Sequence, residues 1–538
     1  MTEGPVELPD SYRSQASGAQ RIGDASPDEV VEVTVTLRGP QLPGADAVTG
    51  PPIDAAAFAA AYGADPDDAA KVKEELERLG LQVYDVSLAG RSLHARGTVQ
   101  QLRSAFGVSF GLYQSDGQGQ FRGREGSISI PAPLAGVITG VFGLDERRMA
   151  RRKNAPAQAA QAGPPLAPAD FESRYQFPGG DGAGQTVAIA EFGGAYFAAD
   201  MQAFCEKYGR PVPEVTPVSA GFPLMTAGQV AKLSKPLRQR VLDDSVEVMM
   251  DVEIVAALCP AASISVYFAP FSEKGWIDLI NAVTAARPVP VTLSVSWGLA
   301  EDSADWSDSA VREINQRLQA AAMLGVTVCA ASGDDGAGDG MDDGRAHVHF
   351  PAASPFVLSV GGTMVQGTPP AEVVWWVSPG ERASDGSSPA GSTGGGVSTV
   401  FPRPAWQTVT VASLNAGSID GRVVPDVSAL AGSPYYGLIF QGKDSPNGGT
   451  SAATPLWAAL LARIAAGLPA ARQLRFITPL LYGTTPDGQP AGQAGCADIT
   501  SGDNRSPGIP LGYAARGGYD AVSGWGTPVG TRLQQLLS

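Results

Sequence analysis

The sequence predicts an α/β protein built on a parallel, doubly wound sheet, preceded by a smaller α+β unit. Three observations carry this prediction. Short apolar runs alternate with helical patterns between residues 185 and 360, as strands buried on both faces do. Residues 28–146 alternate strand and helix patterns over a shorter span, which suits a split βαβ sandwich. Between the two lies a basic cluster, 147–153, followed by an Ala/Gln/Pro-rich stretch; together, 147–168 have the composition of an exposed, cleavable linker.

Residues 1–27 are polar and Gly/Ser-rich and read as flexible. Strands are predicted at 30–37, 82–88, 92–97 and 127–130, and helices at 53–62, 67–79 and 99–106. Asp67 and Asp68 favour the N-terminus of the second helix. In the larger unit, 169–538, apolar strands are predicted at 185–190, 264–268, 291–296, 326–331 and 357–360. Helical patterns at 245–258, 275–286 and 309–324 separate them. Chemistry in such sheets collects beyond the carboxyl ends of the strands. Those ends carry Glu191, Ser296-Trp297-Gly298 and Ser332-Gly333-Asp334.

Composition narrows the function classes. Of 538 residues, 43% are apolar and only 17% charged, with 66 Gly and 43 Pro, so the chain folds compactly around many loops. A net charge of −16 argues against a nucleic-acid partner and suits work at low pH. Cys205, Cys259, Cys329 and Cys496 lie far apart without metal-ligand spacing. The N-terminus shows no secretory signal, and no apolar run reaches the roughly 20 residues that span a bilayer.

The segment Gly448-Gly449-Thr450-Ser451-Ala452-Ala453-Thr454-Pro455-Leu456-Trp457 joins a tight turn to an apolar run. It reads either as a nucleophilic hydroxyl at the start of a buried helix or as a plain loop with Ser451 as N-cap. A serine nucleophile needs a base. His94 sits in a strand pattern, and His347 and His349 lack the His-Gly-Thr context of a subtilisin. Glu247 and Asp251 stand one helical turn apart in an otherwise apolar helix. Burial there raises both pKa values and lets the pair share a proton. Asp334 follows a buried strand; if kept protonated in a dry site, it can donate to an oxyanion.

Glu247-x-x-x-Asp251, Ser332-Gly333-Asp334 and Gly449-Thr450-Ser451-x-x-x-Pro455, in that order, resemble the sedolisins, the serine-carboxyl peptidases, and their kumamolisin-like members in particular. Tyr175-Gln176-Phe177-Pro178, Phe350-Pro351-Ala352-Ala353 and Gly394-Gly395-Gly396 extend the likeness over nearly the whole chain. The resemblance implies a subtilisin-like fold behind a ferredoxin-like pro-domain that acts as an intramolecular inhibitor. It makes Ser451 the nucleophile, Glu247 the general base and acid, Asp251 its orienting partner and Asp334 the oxyanion acid, with Glu191 and Trp297 extending the proton network.

It also implies one structural calcium, held by the side chains of Asp498 and Asp520 and the carbonyls of Ile499, Arg516 and Gly518. Arg516 stands where glycine is expected, and His349 where an acid is expected near the pocket for the residue before the scissile bond. Peptide is expected to lie extended along Ser296, Trp297 and Gly298 and the Gly394, Gly395, Gly396 loop. The expected activity is a secreted, monomeric, acid-acting endopeptidase, made as a self-inhibited precursor and without nucleic-acid or membrane partners. A neutral subtilisin-type peptidase and a catalytically silent peptide-binding protein on the same fold are the alternatives.

Overall fold

Alternating valines at β1 (Val30–Leu37) place Val31, Val33 and Val35 on one buried face. The strand is central to an antiparallel sheet with β2 (Gln82–Ser87), β3 (Ser92–Thr98) and β4 (Ile138–Phe142). The order β2-β3-β1-β4 is that of a split βαβ sandwich. Two helices close its core with Val72 and Leu76, and with Leu102 and Phe106: α1 (Pro66–Arg78), capped by Asp65, and α2 (Val99–Phe106), held by a Thr98/Gln101 capping box. The predicted helix at 53–62 starts later, at Ala55, because the Asp54 carboxylate accepts the N–H groups of Ala56 and Ala57. The computed structural model describes residues 4–152, 155–156, 164–341, 343–376, 391–473, 475–505 and 512–538.

Residues 4–27 correct the expectation of a flexible leader. Ala19–Asp24 pairs with Phe110–Ser115, and that strand with Gly119–Arg124, in a second small sheet. The buried Arg13 guanidinium fixes this end of the chain by pairing with Glu273 at 3.2 Å. The predicted strand at 127–130 reduces to Ser129–Ile130, which pairs with Val6–Glu7 outside the main sheet.

The larger unit is organised by β5 (Thr186–Phe192), β6 (Val215–Ser219), β7 (Ser263–Ala269), β8 (Thr292–Val295), β9 (Thr327–Ala331), β10 (Leu358–Gln366), β11 (Ala371–Val374) and β12 (Val427–Leu430). Their order is β6-β7-β5-β8-β9-β10-β11, and β12 also pairs with β10; only the β10–β11 pair is antiparallel. Four helices cover the sheet: α3 (Lys235–Leu258), α4 (Glu273–Ala285), α5 (Asp308–Met323) and α6 (Thr450–Ala466). Helices α3 and α6 share one apolar core, and α4 and α5 belong to the other.

That second core also takes Val48, Phe58, Phe142 and Met149 from the N-terminal part of the chain. Across the same boundary Asp278 accepts from Thr34 Oγ1 at 2.8 Å and pairs with His94 at 3.1 Å, while Lys274 of its own helix pairs with it at 2.6 Å. Arg147, Met149 and Ala150 are buried here, which corrects the expectation that the linker is exposed from residue 147. No helix among the described residues is long and apolar enough to cross a membrane.

Trp457 anchors α6: it is fully buried, and its Nε1 donates to the Ser428 carbonyl at 3.0 Å. Trp457→Ala is expected to destabilise the chain by about 3–5 kcal/mol, read as a lower denaturant midpoint.

Candidate active site

Helix α6 begins abruptly. Its N-cap, Gly449, has φ 94°, and a Cβ at Gly448 would lie 2.1 Å from the Ala431 carbonyl oxygen, so the turn needs both glycines. Ser451 stands in the first turn, and its Oγ donates to the Ser296 carbonyl at 3.3 Å. Pro455 has no N–H for the carbonyl four residues back, which is that of Ser451. The Ser296 hydroxyl takes that place, 3.3 Å from the Ser451 carbonyl oxygen. Ser451 is therefore tied to the end of β8 through two of its own atoms.

The same Ser296 hydroxyl lies 2.6 Å from Asp251 Oδ2. One hydroxyl proton cannot serve both acceptors. A protonated Asp251 resolves this by donating to Ser296 Oγ, which is then free to donate to the Ser451 carbonyl. Glu247 and Asp251 lie one turn apart on α3, and both are fully buried. Glu191, in β5, accepts from Trp297 Nε1 at 3.1 Å. Burial raises Glu191 well above the carboxylate range, and the neighbouring Glu247 raises it further. Burial does the same to Asp251, followed by Glu191 and Glu247.

Asp334 follows β9 after the turn at Gly333, where φ is 107°. Its Oδ1 accepts from the Thr450 N–H at 2.9 Å and from Thr450 Oγ1 at 2.6 Å. The residue just before Ser451 thus holds Asp334 to the same helix turn. Gly394, Gly395 and Gly396 pack beside it: Gly394 N–H donates to the Gly333 carbonyl at 2.7 Å, and Ser332 Oγ donates to the Gly394 carbonyl at 3.0 Å. A Cβ at Gly394 would lie 1.9 Å from the Ser332 carbonyl oxygen.

None of the three histidines is bonded to Ser451. His94 pairs with Asp85 and Asp278, His347 with Asp302 and Asp343, and His349 with Asp339 at 2.8 Å. The position where an acid is expected is held by His349, which is paired with Asp339, and a Cβ on Gly298 would lie 2.5 Å from His349 Nε2.

The linker runs through this site. Arg151 pairs with Gly298 and Arg152 with Trp297, antiparallel. Ala155 pairs with Gly448 and Pro156 with Asn447, also antiparallel. Residues 153–154 and 157–163 of the expected linker lie outside the described residues. The expected peptide edge at Trp297 and Gly298 is thus engaged. The Gly394, Gly395, Gly396 loop packs on the Asp334 turn, and a second edge at Asn447 and Gly448 is added.

Residues 17–147 match the family model "Pro-kumamolisin, activation domain" and residues 250–492 the "Subtilase family". Kumamolisin of Bacillus sp. (strain MN-32) is 36% identical over 553 residues, covering 98% of this chain and 95% of that one. The chain belongs to the kumamolisin-type sedolisins. Tripeptidyl-peptidase sed5 of Aspergillus fumigatus is 28% identical over 597 residues, covering 98% of this sedolisin and 97% of the relative. Tripeptidyl-peptidase 1 of Bos taurus is 34% identical over 310 residues, 53% of this chain and 50% of the relative. The fold matches Pseudomonas sedolisin in complex with pseudo-iodotyrostatin, with TM-score 0.57 and 24% identity over 70% of this chain and 98% of that one. This sedolisin is a zymogen peptidase of subtilisin-like fold. Its activation domain matches from residue 17, and the strand Ala19–Asp24 accounts for the start earlier than 28.

The donors expected to hold calcium gather on one loop. Asp498 Oδ2 accepts from Gly518 N–H at 2.8 Å, and Asp520 Oδ2 from Arg516 N–H at 2.9 Å. Asp520 Oδ1 accepts from Val522, Ser523 N–H and Ser523 Oγ, and burial raises its pKa. Among the described residues, the carbonyls of Ile499, Arg516 and Gly518 accept no hydrogen bond. Two carboxylates and three uncommitted carbonyls form an all-oxygen donor set, which fits a hard cation.

The raised carboxyls set the pH dependence of folding. Glu191 and Asp251 keep protons in the folded chain that the unfolded chain loses near pH ~4. Their contribution is therefore fully present below that pH and is lost as pH rises towards the folded values, by about 1.4 kcal/mol per pH unit for each retained proton. Asp145 acts oppositely: burial raises it, but Arg13 and Arg147 pull it down to about 2, so its contribution is lost only in stronger acid. The Ser451→Ala precursor is expected to melt higher at pH about 4 than at pH about 7, and Glu191→Gln is expected to flatten that slope.

Proposed function

We propose that this sedolisin is an acid-acting endopeptidase in which Ser451 is the nucleophile and Glu247 its general base. Asp251 and Glu191 hold the protons that Glu247 exchanges, and Ser296 and Trp297 position those two carboxyls through their 2.6 Å and 3.1 Å contacts. Asp334, fastened to Thr450, donates to the oxyanion when protonated. Ser451 Oγ bonds to the carbonyl carbon as its proton passes to Glu247. Collapse breaks the C–N bond, and Glu247 returns the proton to the leaving amine. Water then hydrolyses the acyl-enzyme by the same route. Burial keeps Glu191 and Asp251 protonated in acid, which leaves Glu247 as the member of the cluster that takes the serine proton.

The observation that carries this reading is the linker paired on both sides of Ser451, at Trp297 and Gly298 and at Gly448 and Asn447. A chain that continues in both directions occupies the site as an internal segment, which supports endopeptidase action. It also supports self-processing within residues 152–155. The precursor incubated near pH 4 is expected to release the activation domain by a cut in that window, read by intact mass, while Ser451→Ala stays whole. Processing of the Ser451→Ala chain at the wild-type rate, or activity confined to pH above about 7, would defeat the proposal.

We further propose that Asp498, Asp520 and the carbonyls of Ile499, Arg516 and Gly518 hold one calcium ion. The ion would neutralise the two carboxylates and brace the loop that ends at Asp520. A chelator is expected to lower the melting temperature, added calcium to restore it, and Asp498→Ala to abolish both responses. Secretion is proposed on the family resemblance.

A further inference from the structure

Upstream of the paired residues, the linker keeps to the surface of the peptidase domain. Met149 N–H donates to the Phe271 carbonyl, and Trp276 Nε1 donates to the Met149 carbonyl at 2.8 Å. Arg151 and Arg152 then pair with Gly298 and Trp297. The extended path through the site therefore reaches back to Arg148, three residues before the partner of Gly298.

Arg148 is gripped on two sides. Its Nη2 donates to Asp244 Oδ1 at 2.9 Å, and its guanidinium carbon lies 3.5 Å from the centroid of the Phe271 ring. A carboxylate beside an aromatic face suits the flat, delocalised arginine head better than a lysine ammonium. Arg148 and Asp244 border a cavity of about 640 Å³, which Gln118 and Phe121 of the activation domain wall on one side. Arg240, the cation that the peptidase domain contributes to its lining, donates to the Gln118 carbonyl there. Removing the activation domain opens the cavity and frees Arg240 from that bond. Asp243 and Asp244 remain on the same wall and outnumber it in charge.

We propose that Asp244 and Phe271 form a distal subsite of the mature enzyme, taking an arginine side chain three residues upstream of the substrate residue that pairs with Gly298. Arg148 occupies this subsite in the precursor. The proposal rests on the peptidase reading above and adds a determinant of substrate choice to it.

The test uses enzyme processed from the full chain and a peptide with the sequence of residues 146–158, beside its Arg148→Ala form. The ratio of the two kcat/KM values, with product masses confirming one cleavage register, is the readout. A uniform change in the catalytic groups cancels in that ratio. The wild-type enzyme is expected to favour the arginine peptide roughly tenfold, and Asp244→Asn and Phe271→Leu to bring the ratio near one. Equal cleavage of both peptides by the wild type would overturn the subsite alone and leave Arg148 as a latch of the precursor. A ratio that survives in both variants would also overturn it. Failure to cut either peptide would overturn the peptidase reading with it.

Discussion

Glu191, Glu247 and Asp251 are buried together beneath the start of α6, and three such carboxyls cannot all carry charge. Much of the surrounding structure answers that constraint. Ser296 and Trp297 follow one another at the end of β8; Trp297 donates to Glu191, and the Ser296 hydroxyl meets Asp251. Helix α3 is buried on nearly all sides from Glu247 onwards, which places Glu247 and Asp251 away from solvent. Protonation relieves the charge of the cluster, and the number of protons it holds depends on pH.

The serine is fixed by an equally economical device. Helices normally satisfy their carbonyls internally, but Pro455 leaves that of Ser451 open. Ser296 reaches it from the neighbouring strand, and the Ser296 carbonyl receives the Ser451 hydroxyl in return. Thr450, one residue earlier, does the same for Asp334. Adjacent residues of one turn thus hold the candidate nucleophile and the candidate oxyanion donor, and a shift of α6 would move both together.

Much of this was legible in the chain. Strands with both faces buried are apolar throughout, so β5, β7, β8 and β9 announce themselves, and the Glu247/Asp251 spacing reads directly as one helical face. Strands at the edge of the small sheet do not. Gly119–Arg124 is a run of glycine, arginine and glutamine around one phenylalanine, and Ala19–Asp24 is almost entirely exposed. Helix α3 begins at Lys235 rather than 245 because its first turns are polar and solvated, which hides the apolar period. The roles of Thr450 and Ser296 come from contacts 116 and 155 residues apart, which no local pattern encodes. The pairing of Arg151 and Arg152 with Gly298 and Trp297 is made by main chain, which has no side-chain signature.

The linker lying in the groove also sets the kinetics of inhibition. While the chain is whole, the segment at 151–156 meets the site at an effective concentration fixed by its tether, so even a weak fit keeps the site filled. A cut within residues 152–155 would remove that tether. From then on the activation domain is an ordinary bimolecular ligand, and its occupancy obeys mass action. Dilution would then lower its occupancy of the groove, which would make the volume around the cleaved protein part of its control.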